Sequence, residues 1–357
     1  MKKLLSPFKK NNLELKNHIV MAPLTRSRAI GNIPNELMAE YYAQRTGAGL
    51  IITEGTAPMA DGLGYPRIPG IFTEDQVEGW KKITESVHQD GSKIFIQLMH
   101  TGRIAHVDNV PAGGQIFAPS SIKADGKMFT DTQGLQDHST PKAFTTDDIK
   151  RTIEGHVKAA KNAMIAGFDG IELHGAHGYL TEQFFNPNSN QREDEYGGSI
   201  ENRTRFALET IQAIAGSIGA DKVGIRLSPF GFSENQPAYD EGEVHKTYQY
   251  LVKEINKIGI QYIHLSMQDA PEKTYRVIRE IFSGTIIQCN GLTPKKALEA
   301  LNGLADLVAF GRKFLANPDL VKRIELGAEL NKPNPDTFYT SGSEGYIDYP
   351  TLAQKPV

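Results

Sequence analysis

The chain has 357 residues, 39% of them hydrophobic, and 39 Lys plus Arg against 42 Asp plus Glu give a formal net charge of −3. That apolar content supports a large core and excludes disorder, and the balanced charge excludes a chain-wide basic surface for nucleic acid. The single cysteine, Cys289, forms neither an internal disulfide nor a cysteine-based metal site alone, which fits a reducing, cytoplasmic setting.

The N-terminus carries lysines but only Leu4-Leu5 as an apolar pair, too short for the apolar region of a signal peptide. Lys9-Lys10 reads as a solvated turn, and no uncharged apolar run approaches the roughly 18 residues of a membrane span. Strand-like runs then recur in chain order: His18–Leu24, Gly49–Gly55, Lys93–Met99, Gly170–Ala176, Val223–Pro229, Tyr262–Met267, Thr285–Gly291 and Leu307–Arg312. Short runs rich in Val, Ile, Leu, Phe and Tyr mark strands buried on both faces. Helical periodicity lies between them. Asp147–Ala166 puts Ile149, Ile153, Val157, Ala160 and Met164 on one stripe, with Thr146 as the expected N-cap. Asn202–Ile218, Val244–Ile258 and Pro294–Leu304 behave likewise, the last with Thr293 as cap and Pro294 at the first helical position.

Strand–helix alternation with eight strand runs predicts an α/β chain forming one (β/α)8 TIM barrel, with residues 1–357 as a single domain. An open doubly wound sheet would show a glycine-rich turn after its first strand, where this chain has Thr25-Arg26-Ser27-Arg28. Arg103–Thr146 and Phe184–Asn202 are then long βα-loops, and loops of that length are more often functional than idle.

In such a barrel chemistry gathers at the C-terminal ends of the strands. Those ends carry Pro23, Leu24 and Thr25, then Gly55, Gln97 to His100, His174 to Tyr179, Arg226, Asn290-Gly291 and Gly311-Arg312. His174 and His177 allow three readings: a metal pair, a structural pair, or neutral donors to a substrate oxygen. The third is favoured, because a catalytic zinc site usually needs a third protein ligand. Glu172 is the nearest candidate, and it serves equally well as a core acid paired with Arg226. Arg226, inside an apolar strand, demands an anionic or strongly accepting partner. Glycines at the ends of strands seven and eight beside Arg312 suit a phosphate dianion. Cys289 reads as a small core hydrophobe.

Long motifs resemble the old yellow enzyme family. They include Met21–Arg26, Gln97–Arg103, Gly167–Leu180, Asn186-Pro187, Asp194–Ser199, Glu201–Arg203 and the tail Glu344–Pro350. The likeness spans nearly the whole chain and is greatest to the group of bacterial N-ethylmaleimide and pentaerythritol tetranitrate reductases. It implies an FMN-dependent barrel that takes hydride from NADPH or NADH and reduces activated alkenes: unsaturated carbonyls, imides and nitroalkenes. The nicotinamide is expected to stack on the flavin in the substrate's own place. An alternative within the family is reduction of nitroesters or other xenobiotics on the same flavin.

By that resemblance Pro23, Leu24, Thr25, Gly55 and Gln97 line the flavin ring, and Arg226 lies at its electron-rich edge. Asn290, Gly291, Gly311 and Arg312 hold its phosphate. His174 and His177 receive the substrate oxygen as an oxyanion hole would, and Tyr179 donates a proton to the α-carbon. Tyr65, Met99 and Tyr346 complete the substrate pocket; Met99 stands where the nearest group often carries Trp, and a flexible thioether softens that end. A longer relative carrying an iron–sulfur cluster needs four cysteines and is excluded. The expected partners are small molecules only, without metal, membrane or nucleic acid, and the expected state is a monomer or small homo-oligomer.

Overall fold

The structure is a computed structural model that describes all residues except 234, 268, 269, 290 and 355–357. Eight parallel strands close into a barrel. They are β1 Ile19–Met21, β2 Leu50–Ile52, β3 Lys93–Leu98, β4 Gly170–Gly175, β5 Val223–Leu227, β6 Tyr262–Leu265, β7 Thr285–Gln288 and β8 Leu307–Phe310. β8 pairs with β1, Phe310 opposite Met21, so no edge is left open. Each strand occupies one of the eight apolar runs. Alternation assigns their residues to two clusters: Val20, Leu50, Ile52, Phe95, Ile287 and Leu307 face inward, whereas Ile19, Ile51, Ile96, Ile171 and Ile263 pack outward on the helices.

The helical ring consists of α1 Glu36–Ala43, α2 Glu74–His88, α3 Thr146–Ile165, α4 Ile200–Ile218, α5 Glu241–Ile258, α6 Glu272–Ile281, α7 Pro294–Asn302 and α8 Leu320–Leu326. Thr145, not Thr146, caps α3, accepting from the Asp148 amide while the Asp148 carboxylate accepts from Thr145. Two adjacent threonines compete for that position, and the one with an acid three residues on completes a reciprocal capping box. The buried face comprises Ile149, Thr152, His156, Ala159, Ala160 and Ala163, whereas Ile153, Val157 and Met164 of the expected stripe are only partly buried. Thr293 caps α7 with Pro294 in its first turn, as the sequence indicates. No helix among the described residues is long and apolar enough to cross a membrane.

Lys9-Lys10 is not a turn. It belongs to a strand, Phe8–Lys10, paired antiparallel with Leu13–Leu15, and Lys10 reaches Asp306 at 3.1 Å. Phe8, Leu13 and Leu15 join the inward cluster and close the floor of the barrel. At the opposite rim the 103–146 segment carries a hairpin, Lys127–Thr130 against Gly134–Asp137. The C-terminal tail is pinned across that rim from the front of the chain. Arg26 donates to the carbonyls of Gly345 at 2.7 Å and Phe338 at 3.1 Å, and Arg28 to those of Thr337 at 2.9 Å and Phe338 at 2.8 Å.

Candidate active site

Three connected compartments open at the C-terminal end of the strands. The innermost is a cavity of about 220 Å³, walled by Pro23, Leu24 and Thr25 after β1, Gly55 after β2, Gln97 on β3 and Met99 just beyond it. His174, His177 and Tyr179 face it from β4 and the turn that follows, Arg226 from β5 and Arg312 after β8. An arm of about 520 Å³ continues past Arg226 to Gly291, Gly311, Arg312 and Lys313. A vestibule of about 710 Å³ leads outward past Thr25, Tyr65, Tyr179 and Tyr339 to the 127–137 hairpin. The sequence-predicted residues Pro23, Leu24, Thr25, Gly55, Gln97, Met99, His174, His177, Tyr179, Arg226 and Arg312 therefore meet in one cavity, Gly291 and Gly311 in its arm and Tyr65 in its mouth.

The two remaining expected residues are Asn290 and Tyr346. Asn290 lies outside the described residues. Tyr346 is fully buried behind the rim: its ring stacks on Tyr41 at 4.1 Å, with Arg28 4.7 Å from its centroid. It fastens the tail and lines none of the three compartments. The tail aromatic that does line them is Tyr339, with Phe338 beside it in the inner cavity.

The electrostatics of the inner cavity are lopsided. Arg226 is 7% exposed; among the described residues its Nε has no hydrogen-bond partner and its Nη2 meets only the Cys289 sulfur, at 3.7 Å. Among the described residues no carboxylate forms an ion pair with Arg226. Glu172, the sequence candidate for that pairing, instead accepts from Gln97 Nε2 at 2.7 Å and lies 2.9 Å from His264 Nδ1. Burial opposes charging of His264, but the Glu172 carboxylate helps lift its pKa above the ordinary value. Cys289 is more than core filling: it borders the arm, and although burial works against its thiolate, His264 and Arg226 lower its pKa.

A buried guanidinium with an orphaned nitrogen, opening on an arm that holds a second arginine and a lysine, fits a ligand carrying negative charge at a ring edge and on a phosphate. FMN has that distribution. With its Nε2 bound to Glu172, Gln97 keeps its amide oxygen available to accept from a ring N–H.

At the other end stand the donors. The rings of His174 and His177 lie 5.4 Å apart, and Tyr179 is 4.8 Å from His174. Burial pushes both histidines well below the ordinary imidazole pKa, with Arg226 contributing. They are therefore neutral N–H donors at neutral pH, and no group of three or more potential metal ligands occurs among the described residues. The Nε2 of His177 lies 3.1 Å from the Ser266 hydroxyl; in the tautomer that accepts from this hydroxyl, Nδ1 carries the proton and can donate. Burial raises the Tyr179 pKa, so its hydroxyl keeps its proton.

Ser266 and Glu182 escaped the sequence reading. Glu182 is a buried acid in the short helix Leu180–Phe185, three residues after Tyr179, and its place between the His174–Tyr179 motif and two phenylalanines was the available signal.

The comparisons agree with this geometry. The sequence profile of the NADH:flavin oxidoreductase / NADH oxidase family matches residues 3–331. The 12-oxophytodienoate reductase 1 of Oryza sativa subsp. japonica is 43% identical over 363 residues, covering 98% of this chain and 93% of that protein. A solved structure of morphinone reductase in complex with tetrahydroNAD superposes with a TM-score of 0.94 at 41% identity, covering 99% of each chain. The old yellow enzyme homologue of Zymomonas mobilis gives 0.93 at 37% identity, covering 98% of this chain and 100% of that one. The chain belongs to the NADH:flavin oxidoreductase family, the old yellow enzymes, and is an FMN-dependent oxidoreductase that draws on a nicotinamide dinucleotide.

Proposed function

We propose that the enzyme reduces the C=C bond of activated alkenes, namely α,β-unsaturated carbonyls, imides and nitroalkenes. The observation that carries this reading is the grouping of two neutral imidazole donors with a protonated phenol at one end of the cavity. FMN, when bound, supplies hydride transfer between the nicotinamide and the alkene β-carbon. His174 and His177 hold the carbonyl, imide or nitro oxygen, and their N–H dipoles stabilise the charge that develops there. Tyr179 holds a proton at its hydroxyl and releases it to the α-carbon. Pro23, Leu24, Thr25, Gly55, Gln97 and Arg226 seat the flavin ring, Gly291, Gly311 and Arg312 its phosphate, and Tyr65, Met99 and Tyr339 bound the substrate.

Reduction of nitroesters on the same flavin is the competing activity, and it requires no proton at carbon. The placement of Tyr179 favours the alkene. The 12-oxophytodienoate and morphinone reductases are named for substrates of this kind and are similar throughout their length. Purified protein should be yellow, bleach with NADH or NADPH, and recover its absorbance with 2-cyclohexenone. Bleaching without recovery by any enone, imide or nitroalkene would overturn the proposal, and a stopped-flow comparison of NADH with NADPH assigns the reductant.

A further inference from the structure

Behind the donor loop lies a buried polar cluster that the flavin site does not use. His177 and Gly178 are consecutive left-handed residues, with φ of 59° and 77°. For a β-branched-free but bulky residue such as histidine this conformation is costly, and it persists only where neighbours hold it. The N–H groups of such a turn need acceptors close by. Here the His177 N–H donates to Ser228 Oγ at 2.8 Å, and the Gly178 N–H to Glu182 Oε2 at 2.8 Å. The Ser228 hydroxyl in turn donates to Glu182 at 2.9 Å, and the Tyr248 hydroxyl of α5 donates to the same carboxylate. Glu182 itself is 1% exposed. A Cβ on Gly178 would come within 2.8 Å of the Asn235 carbonyl, so the turn has no room to relax outward.

We infer that Glu182 is a positioning residue: it anchors the 177–178 backbone turn and thereby fixes the His177 and Tyr179 side chains against the substrate. The role rests on the alkene-reductase reading but is read out separately from it. A carboxylate accepts from all three donors at once, whereas the protonated acid turns one acceptor into a donor. Burial lifts the Glu182 carboxyl to a pKa of about 7, despite the bonds from Tyr248, Gly178 and Ser228. The other groups beside it are Gln236 and Tyr239, and the His177 ring belongs to the turn it anchors. Burial holds both tyrosines above the ordinary phenol value and His177 below the ordinary imidazole value, so none of them titrates near neutrality.

The test is the dissociation constant of phenol, read from the perturbed flavin spectrum of the holoenzyme between about pH 5.5 and 8.5, together with the rate of flavin reoxidation by 2-cyclohexenone. In the wild type both should improve with rising pH through a single inflexion near neutrality. Glu182→Gln should abolish the inflexion while keeping FMN bound. Glu182→Leu should weaken phenol binding about tenfold, the size expected when buried N–H donors lose an acceptor, and Gln should restore part of that loss. An inflexion that survives unchanged in the Gln variant, or wild-type binding that is flat with pH, would overturn the assignment. The proposed activity fails separately, if the wild type is not reoxidised by any activated alkene.

Discussion

The Tyr179 hydroxyl donates to the Tyr65 hydroxyl across 3.1 Å, at the point where the inner cavity meets the vestibule. Burial raises both phenols, and the bond to Tyr65 is the main influence pulling Tyr179 back down. Tyr179, the proposed proton donor, is thus protonated at rest and tethered to the wall of the vestibule. Tyr179→Phe should slow flavin reoxidation by 2-cyclohexenone about 100-fold, the range of a general acid, while flavin reduction by the nicotinamide changes little. Tyr65→Phe should act in the same direction but more weakly. Stopped-flow measurement of the two half-reactions separates these outcomes, and equal losses in both would contradict the donor role.

His174 and His177 are neutral donors, so replacing both with Ala should weaken phenol and enone binding without releasing FMN. Spectral titration with phenol measures the first effect and the retained yellow colour the second. Loss of flavin from the double variant would mean that the pair is structural.

In the proposed flavin seat Arg312 would meet the phosphate and Arg226 the ring edge. Arg312→Ala should weaken FMN binding about 10- to 100-fold, as for loss of a charge-assisted contact to phosphate, measured by fluorescence on reconstituting apoprotein. Arg226→Gln should instead lower the flavin midpoint potential, because a positive charge at the ring edge favours the reduced, anionic form. A potential unchanged in Arg226→Gln would remove that residue from the ring.

Gly55 sits hard against Met99. A Cβ there would meet the Met99 sulfur at 2.5 Å and its Cβ at 3.2 Å, forcing the thioether to move within the cavity. Gly55→Ala should raise the KM for 2-cyclohexenone by up to about tenfold, in the range of overpacking costs. Adding Met99→Ala should recover most of it, and steady-state kinetics on the single and double variants checks the coupling.

His156 on α3 is buried, and burial lowers its pKa to about 4, so it stays neutral in the folded protein as acid is added. The unfolded chain charges this ring near 6.5, binds more protons than the folded one below that pH, and gains relative stability as pH falls. The melting temperature should therefore drop between pH 6.5 and 5, with His156 alone contributing up to about 2 kcal/mol at pH 5. In His156→Gln the slope should flatten by that amount, as calorimetry would show.

The barrel was legible because every strand is buried on both faces, which writes it into the sequence as a short apolar run; all eight runs contain a barrel strand. Most of the site was legible because strand ends converge by the geometry of the fold itself. The failures share a different cause. Whether Tyr339 or Tyr346 faces the substrate depends on how the tail crosses the rim, and that is decided by Arg26 and Arg28, whose partners lie more than 300 residues away. Glu172 satisfies Gln97 and His264 rather than Arg226, a choice between neighbours in three dimensions that strand periodicity does not resolve. The importance of Glu182 emerges only when the backbone of His177 and Gly178 is seen to be left-handed.

The pinned tail divides the walls of the chamber between two stretches of the chain. Residues 3–331 carry the family profile and include all eight barrel strands, yet the wall that Phe338 and Tyr339 contribute comes afterwards. The strand ends build most of the inner cavity, and the tail supplies the remaining wall of the chamber. Arg26 and Arg28 hold that wall in place from the front of the barrel. Clipping the chain after 331 would therefore be expected to leave a coloured protein with a breached chamber, able to hold its pigment and poorly able to choose what it reduces.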